Sequence, residues 1–172
     1  IFAAAAALGG FIKFLDSSAK AYAEQELAVA KLNIALKNQG IESAQVTNKI
    51  TSFATQMQRL TTFSDENIIG TQALLVSYGV VGQKLDDTTK AALNLASGLG
   101  IDLRSATMLL GKAATGETGA LSRFGIQIAD STPKAEKLAA VLDQVNKRFG
   151  GAAAAQAATY SGKVAQLKNA FN

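Results

Sequence analysis

The sequence predicts an all-α chain: several helices joined by Gly-rich turns, a long helix at the N-terminal end and no sheet. Three observations predict it. Ala, Leu, Lys, Gln and Glu, all good helix formers, are abundant, and Pro occurs once in 172 residues. Apolar side chains recur every three or four positions along most of the chain, the period of a helix face. Glycines punctuate these periodic stretches, where a helix can stop and turn. Aromatics are few and Trp is absent, so the helix contacts are expected to be thin and Ala-filled.

The stretch Ile1–Leu15 is apolar, with Gly9, Gly10 and Lys13 inside it and Asp16 closing it. It is shorter than the ~20 residues that span a bilayer. No basic region precedes it and no cleavage site stands apart from it, so a signal peptide is not expected. A buried or helix-partnered segment is expected. From Phe11 to Lys37 the helical pattern has no breaker, with Tyr22, Val29, Leu32 and Leu36 on one stripe and Leu27, Ala30 and Ile34 beside it. Such a helix is about 40 Å long at ~1.5 Å per residue. Asn38-Gln39-Gly40 supplies the stop. The next helix, Glu42 to Leu60, carries Val46, Ile50, Phe53, Met57 and Leu60 as one seam among Ser, Thr, Gln and Asn.

Shorter helices follow. Ser64 caps one, with Asp65 and Glu66 in its first turn and Ile68, Leu75 and Val76 buried. Asp86 or Asp87 opens another, with Ala92, Leu95 and Leu99 inward and Gly98-Leu99-Gly100 at its end. Asp102 caps a third, which buries Leu103, Ala106, Leu110 and Ala113. A turn of helix from Glu117 to Arg123 ends at Phe124-Gly125, and Gln127 to Ser131 is extended. Pro133 is expected at the first position of a helix carrying Leu138, Leu142, Val145 and Phe149. The final Ala-rich helix carries Tyr160, Val164, Leu167 and Phe171. The organisation is therefore residues 1–60, a long apolar helix plus a Ser/Thr/Gln-rich one; 61–131, a short-helix module; and 132–172, a basic helical pair. The chain starts at Ile1 and a helical pattern still runs at Asn172, so it is expected to be an internal stretch of a longer polypeptide.

Composition excludes much chemistry. With no Cys and no His, there can be no disulfide, Cys-rich zinc site, thiol nucleophile or His-based acid–base catalysis. Gly98-Leu99-Gly100 starts like a dinucleotide fingerprint, but Leu103 stands at the third Gly position and no strand precedes it. Gly111-Lys112 and Gly82-Gln83-Lys84 lack the rest of a phosphate loop. Asp65-Glu66 and Asp86-Asp87 are explained by helix starts. Ser17-Ser18-Ala19-Lys20 has the Ser-x-x-Lys spacing with no partner motif, which makes it a chance match. No catalytic, cofactor-binding or metal-binding residue is assigned, and the chain is expected to be non-enzymatic. Residues 1–132 hold eleven basic and eleven acidic side chains, and 133–172 hold six against two, so the whole excess of +4 lies in the last quarter. The charges are spread and lack interleaved aromatics, as on a solvated helix face.

Residues 102–126 carry the most distinctive pattern. A helix ending in Lys-Ala-x-x-Gly meets a short Ala-Leu-x-Arg-hydrophobic-Gly-Ile turn, through Lys112, Ala113, Gly116, Ala120, Leu121, Arg123, Phe124, Gly125 and Ile126. Asp87-Thr88-Thr89-Lys90-Ala91-Ala92 before it and a Gly-x-x-x-x-Leu-x-Asn-Ala-Phe helix after it fit the same pattern. Over roughly residues 20–172 the chain resembles an internal segment of bacteriophage or prophage tail tape-measure proteins. The resemblance implies a structural virion protein, inside the tail tube or at the tail tip. It implies roles in tail length determination, tail assembly and genome ejection. Its implied partners are tail-tube and tail-tip proteins, tail assembly chaperones and further copies of itself, with transient host membrane contact and no sequence-specific nucleic acid binding. No cofactor is implied. From the residues alone, Gly116 and Gly125 let the chain turn with positive φ, and Leu121, Phe124 and Ile126 tuck the turn against the preceding helix. The alternatives are a membrane-active segment of an ejection conduit, using Ile1–Leu15 and the basic last quarter, and an unrelated helical protein-binding module.

Overall fold

The computed structural model describes the backbone of residues 2–170 and the side chains of residues 19–170. The side chains of Ile1–Leu15, Ser17 and Phe171 lie outside the described residues. Within them the chain forms eight α-helices: α1 (Phe2–Asn38), α2 (Ala44–Leu60), α3 (Asp65–Ser77), α4 (Gln83–Leu99), α5 (Leu103–Ala114), α6 (Lys134–Phe149), α7 (Ala152–Ala157) and α8 (Tyr160–Ala170). A 3-10 turn at Gly119–Phe124 sits between α5 and α6, and the described residues contain no strand. The fold is all-α, as the composition and periodicity predict.

Local chemistry sets most helix ends. Asp102 caps α5: its carboxylate accepts from the Ser105 N–H at 2.8 Å and from the Ser105 hydroxyl at 2.6 Å. Ser43 caps α2. Four reversals share one device, a glycine followed by a β-branched apolar residue. The N–H groups of Ile41, Val80, Ile101 and Ile126 reach back five residues to the carbonyls of Leu36, Leu75, Ala96 and Leu121. Val80 and Ile126 are buried and Ile41 and Ile101 pack against the core, so each stop also contributes to packing.

The centre of the fold is α3. It packs against α1 most extensively, and also against α2, α4 and α5. Ile68, Ile69, Thr71, Gln72, Ala73, Leu75 and Val76 are all buried on it. One core cluster joins these to Leu32 and Leu36 of α1, Ile50 and Ala54 of α2, Leu93 and Leu95 of α4, Leu110 of α5, Val141 and Val145 of α6 and Ala153 of α7. Buried threonines are satisfied locally: the hydroxyls of Thr88, Thr89 and Thr107 donate to the carbonyls four residues earlier. Gln72 is different, because neither atom of its fully buried amide has a partner among the described residues.

Several expectations are corrected. Tyr22 is 70% exposed rather than part of the buried stripe. Gln25 hydrogen-bonds Asp65, the first residue of α3, and the buried residues in the described part of α1 all follow it, so Tyr22 lies past the end of α3. On α2 the buried line shifts to Ile50 and Ala54, with Val46 and Met57 at its edges, while Leu60 is exposed where the chain turns extended at Thr61. α4 starts at Gln83, three residues before Asp86, because the backbone enters the helix at Gly82 without a side-chain cap. Ser64 holds the cap position of α3 but makes no side-chain cap bond; Gln58 instead accepts from the Asp65 N–H at 3.1 Å. Pro133 precedes α6 rather than starting it, with its carbonyl accepting from Glu136 and Lys137.

The Ala-rich end is broken at Thr159, whose hydroxyl accepts from the Gly162 N–H at 3.0 Å and starts α8. α8 then docks through polar groups: Gln166 donates to the Arg59 carbonyl, Asn169 to the Thr62 carbonyl, and Gln58 to the Asn169 carbonyl. This turns Tyr160, Val164 and Leu167 outward, against the expectation that they form a packed seam.

Two core substitutions test this packing. Gln72→Met keeps the volume and removes two unpaired polar atoms, so the urea midpoint should rise by an amount equivalent to about 1–2 kcal/mol. The midpoint staying put would mean that the amide is satisfied in solution. A Cβ on Gly111 would enter the ring of Tyr78. Gly111→Ala should cost about 1–3 kcal/mol, and less in a Tyr78→Leu background, as a double-mutant cycle measures.

Candidate functional site

The turn from Lys112 to Ile126 is the most specific feature of the sequence, and its geometry follows from two glycines. α5 ends at Ala114, and Gly116 adopts φ +95°, with its N–H bonded to the Ala113 carbonyl and that of Glu117 to the Lys112 carbonyl. The chain then coils tightly through Gly119–Phe124 and leaves at Gly125, φ +77°. Leu121 and Ile126 are fully buried and Phe124 packs at the core edge, as the pattern predicts.

Basic side chains of α6 cover this turn. The stem of Lys134 lies on Gly116, where an added Cβ would come within 2.9 Å of its Cγ. Lys137 Nζ donates to the Gly116 carbonyl at 3.2 Å. Arg148 covers Gly125, with Nη1 2.9 Å from where a Cβ would stand, and Arg123 lies over the Phe124 ring at 4.7 Å. The extended segment after the turn is pinned by one side chain: Gln144 Nε2 donates to the Gln127 carbonyl at 2.6 Å, and its Oε1 accepts from the Gln127 N–H at 3.2 Å. Gln144 thus stands in for a neighbouring strand. Its type and spacing carry no signal in the sequence.

The other motifs resolve as structure. Gly100 ends α4 in the left-handed region, and Gly98 leaves room for the Phe149 ring. Gly111-Lys112 lies within α5, and Gly82-Gln83-Lys84 begins α4. Lys20 pairs with Glu24 at 3.9 Å. Among the described residues, no group of three or more His, Cys, Asp or Glu could hold a metal ion. An open groove of about 390 Å³ runs between α1, α3 and α5, lined by Leu27, Leu74 and Leu103 with Glu24, Lys31 and Arg104. Both charge signs are mixed along it and no nucleophile–base pair lines it.

Among the described residues three carboxyls depart from their ordinary value of 3.8. Burial, reinforced by Glu66, pushes Asp65 up; burial also raises Asp86, against the pull of Lys49 and Lys90. Hydrogen bonds from the Ser105 hydroxyl and N–H hold Asp102 down. Each shift follows from helix packing or capping.

No family model, curated protein or solved structure matches the chain.

Losing Gln144 should free the segment behind the turn. Gln144→Ala should speed amide exchange at Gln127 by about tenfold or more and leave α4 amides unchanged, since the lost bonds are local. The Asp65 carboxyl binds its proton more tightly folded than unfolded, so its charge costs stability above that window and the cost vanishes as pH falls through it. Asp65→Asn should therefore stabilise the protein near neutral pH, with a gain that shrinks toward pH 3.8. Asp102→Asn should do the reverse, because the lowered carboxyl supplies stability above pH 3.8 that is lost below it. Urea unfolding across pH reads both.

Proposed function

We propose that this chain is a structural, non-catalytic segment of a phage tail tape-measure protein, working in tail length determination, tail assembly and genome ejection. The single observation that carries the reading is the Lys112–Ile126 pattern, from which Ala113, Leu121, Phe124 and Ile126 go into or against the core while Ala120 stays exposed. The glycines of that pattern stand at its two chain reversals. A pattern that prescribes two turns and the side chains that anchor them belongs to a building unit rather than to a reactive centre. The short helices from residue 61 to 126 are held in one core, so this unit is a folded module of such a protein and not its measuring rod. A measuring role belongs to long continuous helix, where each residue adds ~1.5 Å. Its partners in this reading are tail-tube and tail-tip proteins, chaperones of assembly and other copies of the chain, within the virion.

A second reading draws on α8. Tyr160, Val164 and Leu167 are exposed beside Lys163 and Lys168, and no acidic residue follows Asp143. A basic amphipathic helix of this kind suits an anionic membrane surface. No helix among the described residues is long and apolar enough to cross a membrane.

Deleting codons 61–126 in frame from the encoding phage or prophage tests the first reading. Tails should fail to assemble or lose infectivity, rather than shorten in proportion to the residues removed. Normal tails and titre in electron micrographs and plaque assays would end it. Co-sedimentation with anionic vesicles, abolished by Val164→Asp with Leu167→Asp, is the expected outcome for the second.

A further inference from the structure

We propose that α1 pairs in parallel with α1 of a second copy of this chain, through an outward face formed by Ala23, Leu27, Ala30 and Ile34. The described part of α1 carries two apolar faces. Ala28, Leu32, Ala35 and Leu36 are buried in the molecule's own core, while Leu27 is 54% and Ile34 61% exposed. At ~100° per residue the two faces lie on roughly opposite sides of the helix, so a partner on the outer face lies across α1 from the core, with Leu27 and Lys31 at the edge of the groove beside α3 and α5. Ala23, Leu27, Ala30 and Ile34 are spaced four, three and four, the seam of a two-helix coiled coil. In a parallel pair Leu27 and Ile34 each meet their own counterpart, and Ala23 and Ala30 form small layers between them that let the helices approach closely.

Charge selects the occupant and its direction. Glu26 and Lys31 flank the seam on opposite sides, five residues apart. In a parallel pair, the residue on one flank faces the residue five later on the other helix, so Glu26 of each copy meets Lys31 of the other. Among the described residues neither is paired, although Lys20 and Lys37 on the same helix pair with Glu24 and Glu42. An antiparallel pair would set Glu26 against the neutral Asn33. The other exposed seam does not suit a second copy: Lys163 and Lys168 flank Tyr160, Val164 and Leu167, and self-pairing there would bring like charges together. The pairing does not rest on the tape-measure reading, since only the residues of α1 enter it.

The chain has no Cys, so single cysteines report the geometry directly. Ala23→Cys and Ala30→Cys should each form a disulfide-linked dimer of the full chain under mild oxidation, whereas Ser52→Cys on the exposed side of α2 should stay monomeric. In sedimentation equilibrium Glu26→Lys should weaken dimerisation by about tenfold, because two ion pairs become repulsions. Lys31→Glu should do the same, and the double reversal should restore it. All these positions are exposed, so circular dichroism should match the parent. Cross-linking of Ala23→Cys only to Ile34→Cys would show antiparallel pairing and overturn the proposal. So would a monomer at every concentration, or a dimer lost on Val164→Lys with Leu167→Lys but kept on Leu27→Lys with Ile34→Lys.

Discussion

Because α1, α2, α4 and α5 all pack on α3, that thirteen-residue helix has almost no direction left for water, and the arrangement of its neighbours follows from filling its surface. Among the described residues α1 is buried where α3 runs beside it, from Ala28 to Leu36. The same enclosure explains why Thr71 and Gln72 are buried though nothing apolar recommends them. Thr107 reaches Thr71 at 3.3 Å across the α3–α5 contact, whereas Gln72 goes without a partner, a cost that the surrounding apolar burial must exceed. Small residues set how closely the helices approach: Gly98 and Gly111 each take an aromatic ring where a side chain would have stood.

Chain reversal is handled with similar economy. A glycine closes the helix and the next residue, Ile41, Val80, Ile101 or Ile126, enters or borders the core. Short helices can therefore follow each other through two- to five-residue connections without leaving carbonyls unpaired. The Lys112–Ile126 turn uses this device at Gly125, repeats its backbone bond at Gly116 with the exposed Glu117, and adds a cover of lysine and arginine from α6. Those cations sit against the backbone at Gly116 and Gly125, which explains the basic last quarter partly as packing rather than as a field aimed at a distant partner.

Among the described residues, exposed apolar faces stand out more than any pocket does. The groove beside Leu27 mixes charges, and the shifted carboxyls answer to packing or to a cap. What remains outward is apolar and periodic: the Leu27–Ile34 face of α1 and the Tyr160–Leu167 face of α8. Their flanking charges differ, mixed on α1 and basic on α8, so the two faces suit different neighbours. This fits a segment whose work is assembly, within the tape-measure reading or apart from it.

By itself the sequence determined the helical class, the cap at Asp102, the stops at Gly40, Gly100 and Gly125, and the burial of Ile68, Leu75, Leu103, Leu110 and Leu121. These are local matters: a period of 3.6, a carboxylate within reach of an N–H, a residue free to take positive φ. Periodicity shows that a face is apolar, but not whether another helix covers it. Tyr22, Leu60 and Val164 share the spacing of buried residues and stand in solvent, because α3 starts too late, α2 ends too soon and α8 docks by hydrogen bonds. Gln144 on Gln127 and Lys134 on Gly116 join positions seventeen and eighteen residues apart with no pattern to announce them. Only the tertiary structure decided these, since long-range partners are chosen by which surfaces remain to be filled.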